Sequence, residues 1–210
     1  MKLNNVKKSI GWADYTLNPI KGICPVACPY CYARRIYNRF KMNPKISLDL
    51  SVFDGGINPK EPSKIFVCST IDIFAKGIKY DWLSQILNRI GSDKNCHKHR
   101  FMFLTKFGNN YNKHIFPDNC WLGVTFTDKW QYNPAPENRK NIDYLSVEPL
   151  MREIEIEELG YPKYIIIGGM TPKNCHKKEW VDKIVNWTEE EGIETYIKSN
   201  LHYKLMRQVI

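Results

Sequence analysis

Six short apolar runs alternate with helical patterns along the chain, and this alternation limits the fold more than any other feature of the sequence. The runs cover residues 64–70, 100–106, 120–126, 142–149, 164–169 and 194–200. Several of them are almost continuously apolar, which is typical of strands that are buried on both faces. Strands that alternate with helices predict a parallel sheet or barrel. Their number and length favour a barrel-like α/β fold that is smaller than a full eight-unit barrel.

Three segments between these runs repeat apolar residues at the spacing of a helix. They cover residues 33–40, 83–90 and 180–188. Asp81 is placed to cap the second helix and Gly91 to end it, and Gly192 is placed to end the third. The 210 residues contain no internal repeat and no obvious linker, so we expect a single domain over residues 1–210.

Small, hydroxylated and charged residues follow the apolar runs where the predicted strands stop. In parallel α/β folds, ligands bind beyond the carboxyl ends of the strands. We therefore expect several strands to contribute to one cofactor-binding edge: Ser69, Thr70, Asp72, Thr125, Ser146, Glu148, Gly168 and Gly169, with Lys198 beside them. Thr105 and Lys106 also stand at such an end. The alternative for any single strand is that it stops in an ordinary polar turn.

The stretch GICPVACPYCYARR places Cys24, Cys28 and Cys31 within eight consecutive residues. Thiolate sulfur suits soft metals and iron–sulfur clusters. Pro25 and Pro29 disfavour a helix, so the three sulfurs can converge on one centre. A structural zinc site needs four ligands, usually from two paired motifs, and buried packing cysteines fit such a polar loop poorly. An iron–sulfur cluster is therefore favoured, and three ligands would leave one iron of a four-iron cluster open.

No targeting or membrane segment is visible in the sequence. The start, MKLNNVKKSIGW, is basic but lacks the apolar centre of a signal peptide. No apolar run approaches the ~20 residues that cross a bilayer. We expect a cytoplasmic protein, in which thiols stay reduced and clustered cysteines serve metal binding or catalysis. The odd number of cysteines, seven, also disfavours a disulfide framework.

The pattern Cys-x3-Cys-x2-Cys, with Tyr30 directly before the last cysteine, resembles the signature of the radical SAM superfamily. The resemblance implies a partial (β/α)6 TIM-like barrel. It implies a [4Fe-4S] cluster on Cys24, Cys28 and Cys31, and S-adenosylmethionine (SAM) on the fourth iron, with Tyr30 and the strand-end residues around SAM. Such an enzyme cleaves SAM reductively to methionine and a 5′-deoxyadenosyl radical, which abstracts hydrogen from a substrate. A reductant such as flavodoxin or ferredoxin is the implied partner.

Blocks along nearly the entire chain resemble those of a phage-associated, radical-SAM-like family of largely unknown function: GWADYTLNPIKG, CYARR, IFVCSTIDIF, FMFLTK, WLGVTF, YLSVEPL and IIIGGMTP. The NPIKG…CPYCYARR part is also similar to spore photoproduct lyase-like proteins, which repair DNA photoproducts with the same cofactor. The superfamily often carries a Gly-Gly-Glu-like motif after its second strand, which holds the methionine amino group. Here that strand ends in Ser69-Thr70-Ile71-Asp72, and Asp72 is the expected substitute.

The formal net charge of +9 favours an anionic partner, such as a nucleic acid or nucleotide substrate. The predicted first helix and its end carry Arg34, Arg35, Arg39 and Lys41, which could contact phosphates. A basic proteome and a solvated helix face are the alternatives. A different class of function also stays open: a non-enzymatic iron–sulfur electron carrier or a cluster-dependent nucleic-acid-binding module. Electron-transfer clusters are normally fully ligated by protein, so the lack of a fourth nearby cysteine disfavours the carrier.

Alternation along YLSVEP puts Ser146 and Glu148 on one face of a strand and the apolar Leu145 and Val147 on the other. If the apolar pair packs under the outer helices, Ser146 and Glu148 face the lumen, and the same parity turns Lys198 inward. A carboxylate inside a barrel must be paired or hydrogen-bonded. One interpretation is a structural Glu148–Lys198 ion pair. The other is a catalytic role for these two residues, in which Glu148 contacts SAM or the substrate.

The remaining cysteines and the residues before the cysteine loop carry weaker signals. Cys68 and Cys120 lie in apolar runs and are expected in the core. A second metal site could combine five residues, although their spacing matches no familiar zinc pattern: Cys96, His97, His99, Cys175 and His176. Trp12, Asp14 and Asn18 are expected on the first strand and its exit. They could touch substrate there, while Trp12 could equally serve packing.

Overall fold

The computed structural model describes residues 1–55, 59–127, 142–171 and 175–203. The strands are β1 (Asn4–Asn5), β2 (Tyr15–Leu17), β3 (Ile20–Lys21), β4 (Ser47–Leu48), β5 (Lys64–Val67), β6 (Arg100–Thr105), β7 (Cys120–Thr125), β8 (Tyr144–Val147), β9 (Tyr164–Ile167) and β10 (Glu194–Ile197). The α-helices are α1 (Tyr32–Arg39), α2 (Tyr80–Ser92), α3 (Ile156–Leu159) and α4 (Lys178–Glu190). Short 3-10 helices cover Leu50–Phe53, Gly108–Lys113 and Ser199–Leu201.

In the described part of the chain, eight strands form one sheet in the order β1-β2-β5-β6-β7-β8-β9-β10. All neighbours from β2 to β10 are parallel, and β1 pairs antiparallel with β2. Each new parallel strand therefore adds beside the preceding one, as in a βα barrel, and the sheet curls into a half-barrel. The partial-barrel prediction is confirmed. β3 and β4 form a separate antiparallel pair.

Alternate positions along the strands face two different apolar layers. The layer between the sheet and the helices contains Leu145 and Val147. The layer inside the curl is largely aromatic and contains Trp12, Phe66, Met102, Tyr144, Tyr164 and Ile166. Ser146 shares the face of Tyr144, because side chains two apart on a strand point the same way. The predicted inward orientation of Ser146 is therefore confirmed.

The helix ends differ in part from the predicted ones. α2 begins after Lys79, and Asp81 lies in its first turn, where it accepts a hydrogen bond from the side chain of Gln85 (3.1 Å). Gly91 lies inside α2, against the ring of Pro117, and does not end the helix. Both predictions are wrong, because the helix begins one residue earlier, at Tyr80, and runs one residue beyond Gly91, to Ser92. Gly192 follows the end of α4 with a φ of +66°, as predicted.

Among the helices that the structure describes, none combines the length and apolar character needed to cross a membrane.

Candidate active site

The cysteine loop lies in an excursion of the chain that the β3–β4 pair closes at its base. Gly22 begins the loop with a φ of +109°, and a side chain there would lie 2.7 Å from the backbone of Ile46. Only glycine fits this close approach without strain. The Gly22 N–H donates to the hydroxyl of Tyr37 on α1 (2.9 Å). The loop and α1 are therefore fixed to each other where the loop starts.

The first turn of α1 ties the first and last cysteines of the loop together. The sulfur of Cys31 caps the helix by accepting a hydrogen bond from the Arg34 N–H (3.4 Å). The guanidinium of Arg34 donates through Nη2 to the carbonyl oxygen of Cys24 (2.6 Å). The Cys31 N–H donates to the carbonyl oxygen of Cys28 (3.0 Å). Arg34 thus supports the loop, whereas the sequence analysis placed it on a phosphate-binding stripe.

All three cysteines of the loop are free thiols and partly buried. Burial raises the pKa of Cys24, a hydrogen bond from the Asp72 N–H (3.5 Å) lowers that pKa, and the nearby Cys31 raises it further. N–H groups that donate to sulfur stabilise thiolates, the form of cysteine that binds iron. The chemistry of this loop therefore fits an iron–sulfur cluster. No group of three or more His, Cys, Asp or Glu residues within the described ranges is already arranged to hold a metal ion. The convergence of the three sulfurs stays a prediction.

Asp72 joins the loop after β5 to the end of β6. Its carboxylate accepts hydrogen bonds from the Thr105 hydroxyl (2.7 Å), the Lys106 N–H (2.8 Å) and the Phe74 N–H (3.0 Å). Burial raises the pKa of Asp72, although these three bonds lower it in part. A carboxylate has about four acceptor positions, and the chain already uses three. Asp72 therefore organises the site. Its carboxylate has little free acceptor capacity for the predicted contact with SAM.

Lys106 is the functional candidate to which the sequence analysis gave no role. It follows β6, is only 8% exposed, and donates through Nζ to the hydroxyl of Tyr30 in the cysteine loop (2.8 Å). That hydroxyl also lies 3.3 Å from the hydroxyl of Thr127, after β7. No carboxylate of the described residues lies within ion-pair distance of the ammonium. The charge of Asp72 acts on Lys106 only from beyond ion-pair distance. A buried ammonium without a direct ion pair favours an anionic ligand at this end of the sheet.

Glu148 and Lys198 form the predicted ion pair after β8 and β10. Their side chains are 26% and 18% exposed, so the pair is largely shielded from water. Gly168, after β9, lies against both side chains: a Cβ there would come within 2.8 Å of Glu148 and 3.0 Å of Lys198. The ion pair itself is confirmed, whereas the choice between a structural role and a contact with SAM stays a prediction. Gly169 exchanges two hydrogen bonds with the side-chain amide of Asn200 (3.1 and 2.7 Å).

Tyr32 connects α1 to the exit of β5. Its hydroxyl donates to the carbonyl oxygen of Ser69 (2.7 Å), and the Ser69 hydroxyl donates to Asn18 at the exit of β2 (3.1 Å). Burial raises the pKa of Tyr32 to about 12, and the negative charges of Cys31 and Glu148 add to the rise. Thr70 follows Ser69 half-buried, and Thr125 ends β7 almost fully buried. The predicted strand-end residues therefore line one edge of the sheet.

Several other candidates lie elsewhere. Trp12 precedes β2 and packs on Phe66 at the amino end of the sheet (ring centroids 4.7 Å apart). Asp14 accepts from the Lys64 N–H (2.9 Å) at that same end. Both therefore serve packing and strand pairing.

The five residues suggested for a second metal do not form one among the described residues. Cys96 is buried, and burial raises its pKa to about 11. His97, Cys175 and His176 contact three different carbonyl oxygens, those of Gly91, Leu150 and Leu201. Cys68 and Cys120 are buried, as predicted.

Comparisons with known proteins agree with the architecture. The sequence matches the family described as "Protein of unknown function (DUF5131)" over residues 7–208. No curated protein matches it significantly. Spore photoproduct lyase complexed with dinucleoside spore photoproduct is similar in structure, with a TM-score of 0.58 and 14% sequence identity over 93% of this chain and 78% of that chain. A double mutant of that enzyme with bound AdoMet and dinucleoside spore photoproduct has a TM-score of 0.56 and 13% identity over the same shares. At such identities the likeness is one of fold.

Proposed function

This chain belongs to the DUF5131 family, and we propose that it is a radical SAM enzyme that acts on a nucleotide or nucleic acid. One observation carries the proposal: the three-cysteine loop stands at the carboxyl end of a parallel half-barrel, beside the buried cation of Lys106. The fold that it shares with spore photoproduct lyase, of which one solved structure holds AdoMet, supports the proposal. The proposal treats residues 1–210 as a single domain.

Cys24, Cys28 and Cys31 would hold a [4Fe-4S] cluster, with N–H groups of Asp72 and Arg34 directed at two of the sulfurs. When bound, the cluster and SAM supply reductive cleavage and a 5′-deoxyadenosyl radical. The N–H groups of Asp72 and Arg34 would stabilise two of the thiolates. The polar residues at the carboxyl end of the sheet would orient SAM and exclude water. An electron-carrier function is less well supported, because the carboxyl end of the sheet also offers buried polar groups that a carrier does not need.

Lys106 is suited to the carboxylate of SAM. Its ammonium is buried and donates one hydrogen bond to the Tyr30 hydroxyl. Its other two N–H groups have no hydrogen-bond acceptor among the described residues. Glu148 is suited to the amino group or the ribose hydroxyls, in competition with Lys198. Gly168 leaves room for the side chains of Glu148 and Lys198, and Gly169 is held by the amide of Asn200 at the same edge. Ser69, Thr70, Thr125 and Ser146 supply further hydroxyls along the same edge.

The substrate class rests on charge and on the fold. The net charge is +9, and a positive chain attracts polyanions over a distance of about one Debye length, ~8 Å at physiological salt. Spore photoproduct lyase has been solved with a dinucleoside photoproduct. A nucleotide or nucleic acid is therefore the substrate class that we propose here.

Anaerobic reconstitution tests the proposal. We expect about four irons per chain, and 5′-deoxyadenosine and methionine when dithionite and SAM are added. Alanine at Cys24, Cys28 or Cys31 should abolish the cluster, whereas the control Cys120→Ala, in a strand, should keep it. Stoichiometric zinc without iron, after strictly anaerobic handling, would contradict the proposal. A cluster that forms but never cleaves SAM would identify an electron carrier instead.

A second test addresses Lys106. Lys106→Met keeps most of the length of the side chain and removes its charge. We expect the cluster absorbance to persist while SAM affinity falls about tenfold or more, the loss of one charge-assisted hydrogen bond. Unchanged SAM affinity would remove Lys106 from the proposed site.

A further inference from the structure

A groove of about 670 Å³ runs along α2, between this helix and the segment 113–117 that leads into β7. The helix wall includes Tyr80, Ser84, Leu87 and Asn88, which recur every three or four residues and therefore lie on one face of α2. Leu87 is buried, whereas the other three side chains are exposed. We call the space between these two walls the α2 groove. None of these residues belongs to the proposed active site.

Stacked rings connect the α2 groove to the proposed active site. The ring of His114 stacks on Tyr80, with centroids 4.3 Å apart, and on Phe74, with centroids 5.9 Å apart. The Phe74 N–H donates to the carboxylate of Asp72 in that site (3.0 Å). A ligand in the α2 groove would therefore lie beside the rings that lead to the proposed active site.

Tyr80 presents an open ring at this end of the groove. It is 63% exposed, so the face of its ring that is turned away from His114 is accessible. Burial, followed by the nearby charge of Lys113, lowers the pKa of His114 below its ordinary value of 6.5. The imidazole is therefore neutral at pH 7 and stacks as an uncharged ring. Stacked, exposed rings of this kind are the platforms on which nucleobases bind.

The charged side chains along the α2 groove are positive. Lys113 lines the groove and is exposed, and Lys76 and Lys79 are exposed just before α2. Among the residues that the structure describes, none of these three lysines forms an ion pair, and no carboxylate lines the groove. Asp81, in the first turn of α2, accepts a hydrogen bond from Gln85 instead (3.1 Å). The groove therefore suits a ligand that carries negative charge.

An open ring beside unpaired lysines favours a single strand of nucleic acid. Stacking needs a base with a free face, and the bases of a duplex are already covered on both faces by their neighbours. From Tyr80 to Gly91 the helix is about 17 Å long, which is room for about five nucleotides at roughly 3.4 Å each. A peptide would be expected to bury Ile115, which is 94% exposed at the rim, and would need neither the open ring nor the lysines.

We propose that the α2 groove binds a segment of single-stranded nucleic acid next to the nucleotide that reacts, with a base stacked on Tyr80 and a phosphate at Lys113. This inference rests on the proposed function and narrows its substrate from a nucleotide to a polynucleotide. The groove holds the strand without reading its sequence, because every base has a face to stack and every nucleotide has a phosphate.

Fluorescence anisotropy on the cluster-loaded protein tests the inference, with a labelled oligothymidylate of about ten nucleotides as the probe and thymidine 5′-monophosphate as the competitor. The oligonucleotide should bind at least about tenfold more tightly than the monophosphate. Tyr80→Leu should weaken oligonucleotide binding about tenfold, the loss of one stacked base. Tyr80→Phe is the matched control, because it keeps the ring and loses only the hydrogen bond from the hydroxyl to the carbonyl oxygen of Lys113. It should bind the oligonucleotide as the parent does.

The role of Lys113 is tested through the salt dependence of binding. Each phosphate contact with a single strand contributes about 0.7 to the slope of log K against log salt concentration. Lys113→Gln should reduce that slope by about 0.7. The control Lys7→Gln removes the same charge at an exposed position between β1 and β2 and should leave the slope unchanged.

The inference is overturned if Tyr80→Leu or Lys113→Gln binds the oligonucleotide as the parent does, or if a duplex of the same length binds more tightly. It is also overturned if Tyr80→Phe loses as much affinity as Tyr80→Leu, because Tyr80 would then only hold the segment 113–117. Ile115→Ser should leave oligonucleotide binding unchanged, and a loss equal to that of Tyr80→Leu would assign the groove to an apolar partner such as a peptide. SAM cleavage with dithionite tests the proposed function separately. A parent chain that binds the oligonucleotide but cleaves no SAM would refute the proposed function and leave the binding site in place.

Discussion

The two ends of the half-barrel share the same strands and are filled in opposite ways. Inside the amino end, aromatic rings pack together: Trp12, Phe66, Tyr144 and Tyr164. Inside the carboxyl end lie ionisable groups: Asp72, Lys106, Glu148 and Lys198. We call the two ends the floor and the mouth. An open half-barrel exposes its inner face unless something fills it, and Trp12, from the segment before β2, fills the floor.

The edges of the half-barrel are also joined differently at the two ends. At the floor, Gly11 lies so close to the hydroxyl of Tyr196 on β10 that any side chain there would overlap it, and its φ is +84°. At the mouth, the guanidinium of Arg35 on α1 donates to the carbonyl oxygen of Thr171 after β9 (3.2 Å). Among the described residues, tight packing joins the edges at the floor, and this hydrogen bond joins them at the mouth. The difference indicates that the floor contributes mainly stability, while the mouth is free to bind.

Two inward-facing glycines allow a direct test, and the floor glycine should show the largest effect. A Cβ at Gly123 would overlap the ring of Tyr144. That ring cannot retreat easily, because its hydroxyl donates to the carbonyl oxygen of Phe103 (2.8 Å). We expect Gly123→Ala to lower the free energy of unfolding by about 3 kcal/mol or more, the upper range of overpacking. Urea unfolding followed by circular dichroism measures this loss.

Gly91→Ala is the matched control for that change. A Cβ at Gly91 meets only the side chain of Pro117, at 3.3 Å, and alanine favours the interior of a helix. The control should stay within about 1 kcal/mol of the parent. If Gly123→Ala is equally harmless, the floor is not the rigid region described here.

The mouth glycine should show a smaller loss of stability and a larger loss of function. A Cβ at Gly168 would approach the flexible side chains of Glu148 and Lys198, which can shift, rather than a fixed ring. We expect Gly168→Ala to cost about 1–2 kcal/mol of unfolding free energy and to reduce SAM binding about tenfold. The same urea series and SAM binding to the reconstituted protein test this. A stability loss as large as that of Gly123→Ala would erase the contrast between floor and mouth.

The charge of Glu148 is the next test, because Glu148→Gln keeps the shape of the side chain and removes the charge. If Glu148 contacts SAM, SAM binding or cleavage should fall about tenfold or more while fold and cluster absorbance persist. The control is Glu158→Gln, which removes a similarly shielded ion pair with Arg152 outside the mouth, with side chains 28% and 24% exposed. A variant that loses thermal stability but binds and cleaves SAM normally would make Glu148 purely structural.

Much of the fold is predictable from the sequence because it depends on local patterns. The apolar runs mark the strands, and alternation along YLSVEP places Ser146 inside and Leu145 outside. The same parity predicts the ion pair of Glu148 with Lys198, because the parallel strands β8 and β10 end at the same edge of the sheet. The strand pattern and the parity along β8 are thus confirmed, whereas the caps predicted at Asp81 and Gly91 are wrong.

The parts that sequence reasoning misses depend on distant contacts. Lys106 gains its significance only from burial and from Tyr30, 76 residues away in the sequence. One acceptor position of the Asp72 carboxylate is occupied by the hydroxyl of Thr105, 33 residues away in the sequence. Trp12 enters the floor from a turn before β2, where no strand periodicity applies. The sequence does place Lys106 at the end of an apolar strand, but that position alone reveals neither its burial nor its contact with Tyr30.

The smallest expected effect concerns acid and again separates the two ends. His99 precedes β6 at the amino end and is 2% exposed, and burial, followed by the nearby charge of Lys98, lowers its pKa. The unfolded chain, with a His pKa of about 6.5, then takes up a proton more readily than the folded chain. The free energy of unfolding should therefore fall as the pH drops through 6.5 toward the folded pKa, and should be unaffected by His99 above that range. His99→Gln should remove this contribution and Lys98→Gln should reduce it, as measured by urea midpoints between pH 8 and pH 5. If the pH dependence survives in His99→Gln and is lost in Glu148→Gln, the acid-sensitive group belongs to the mouth.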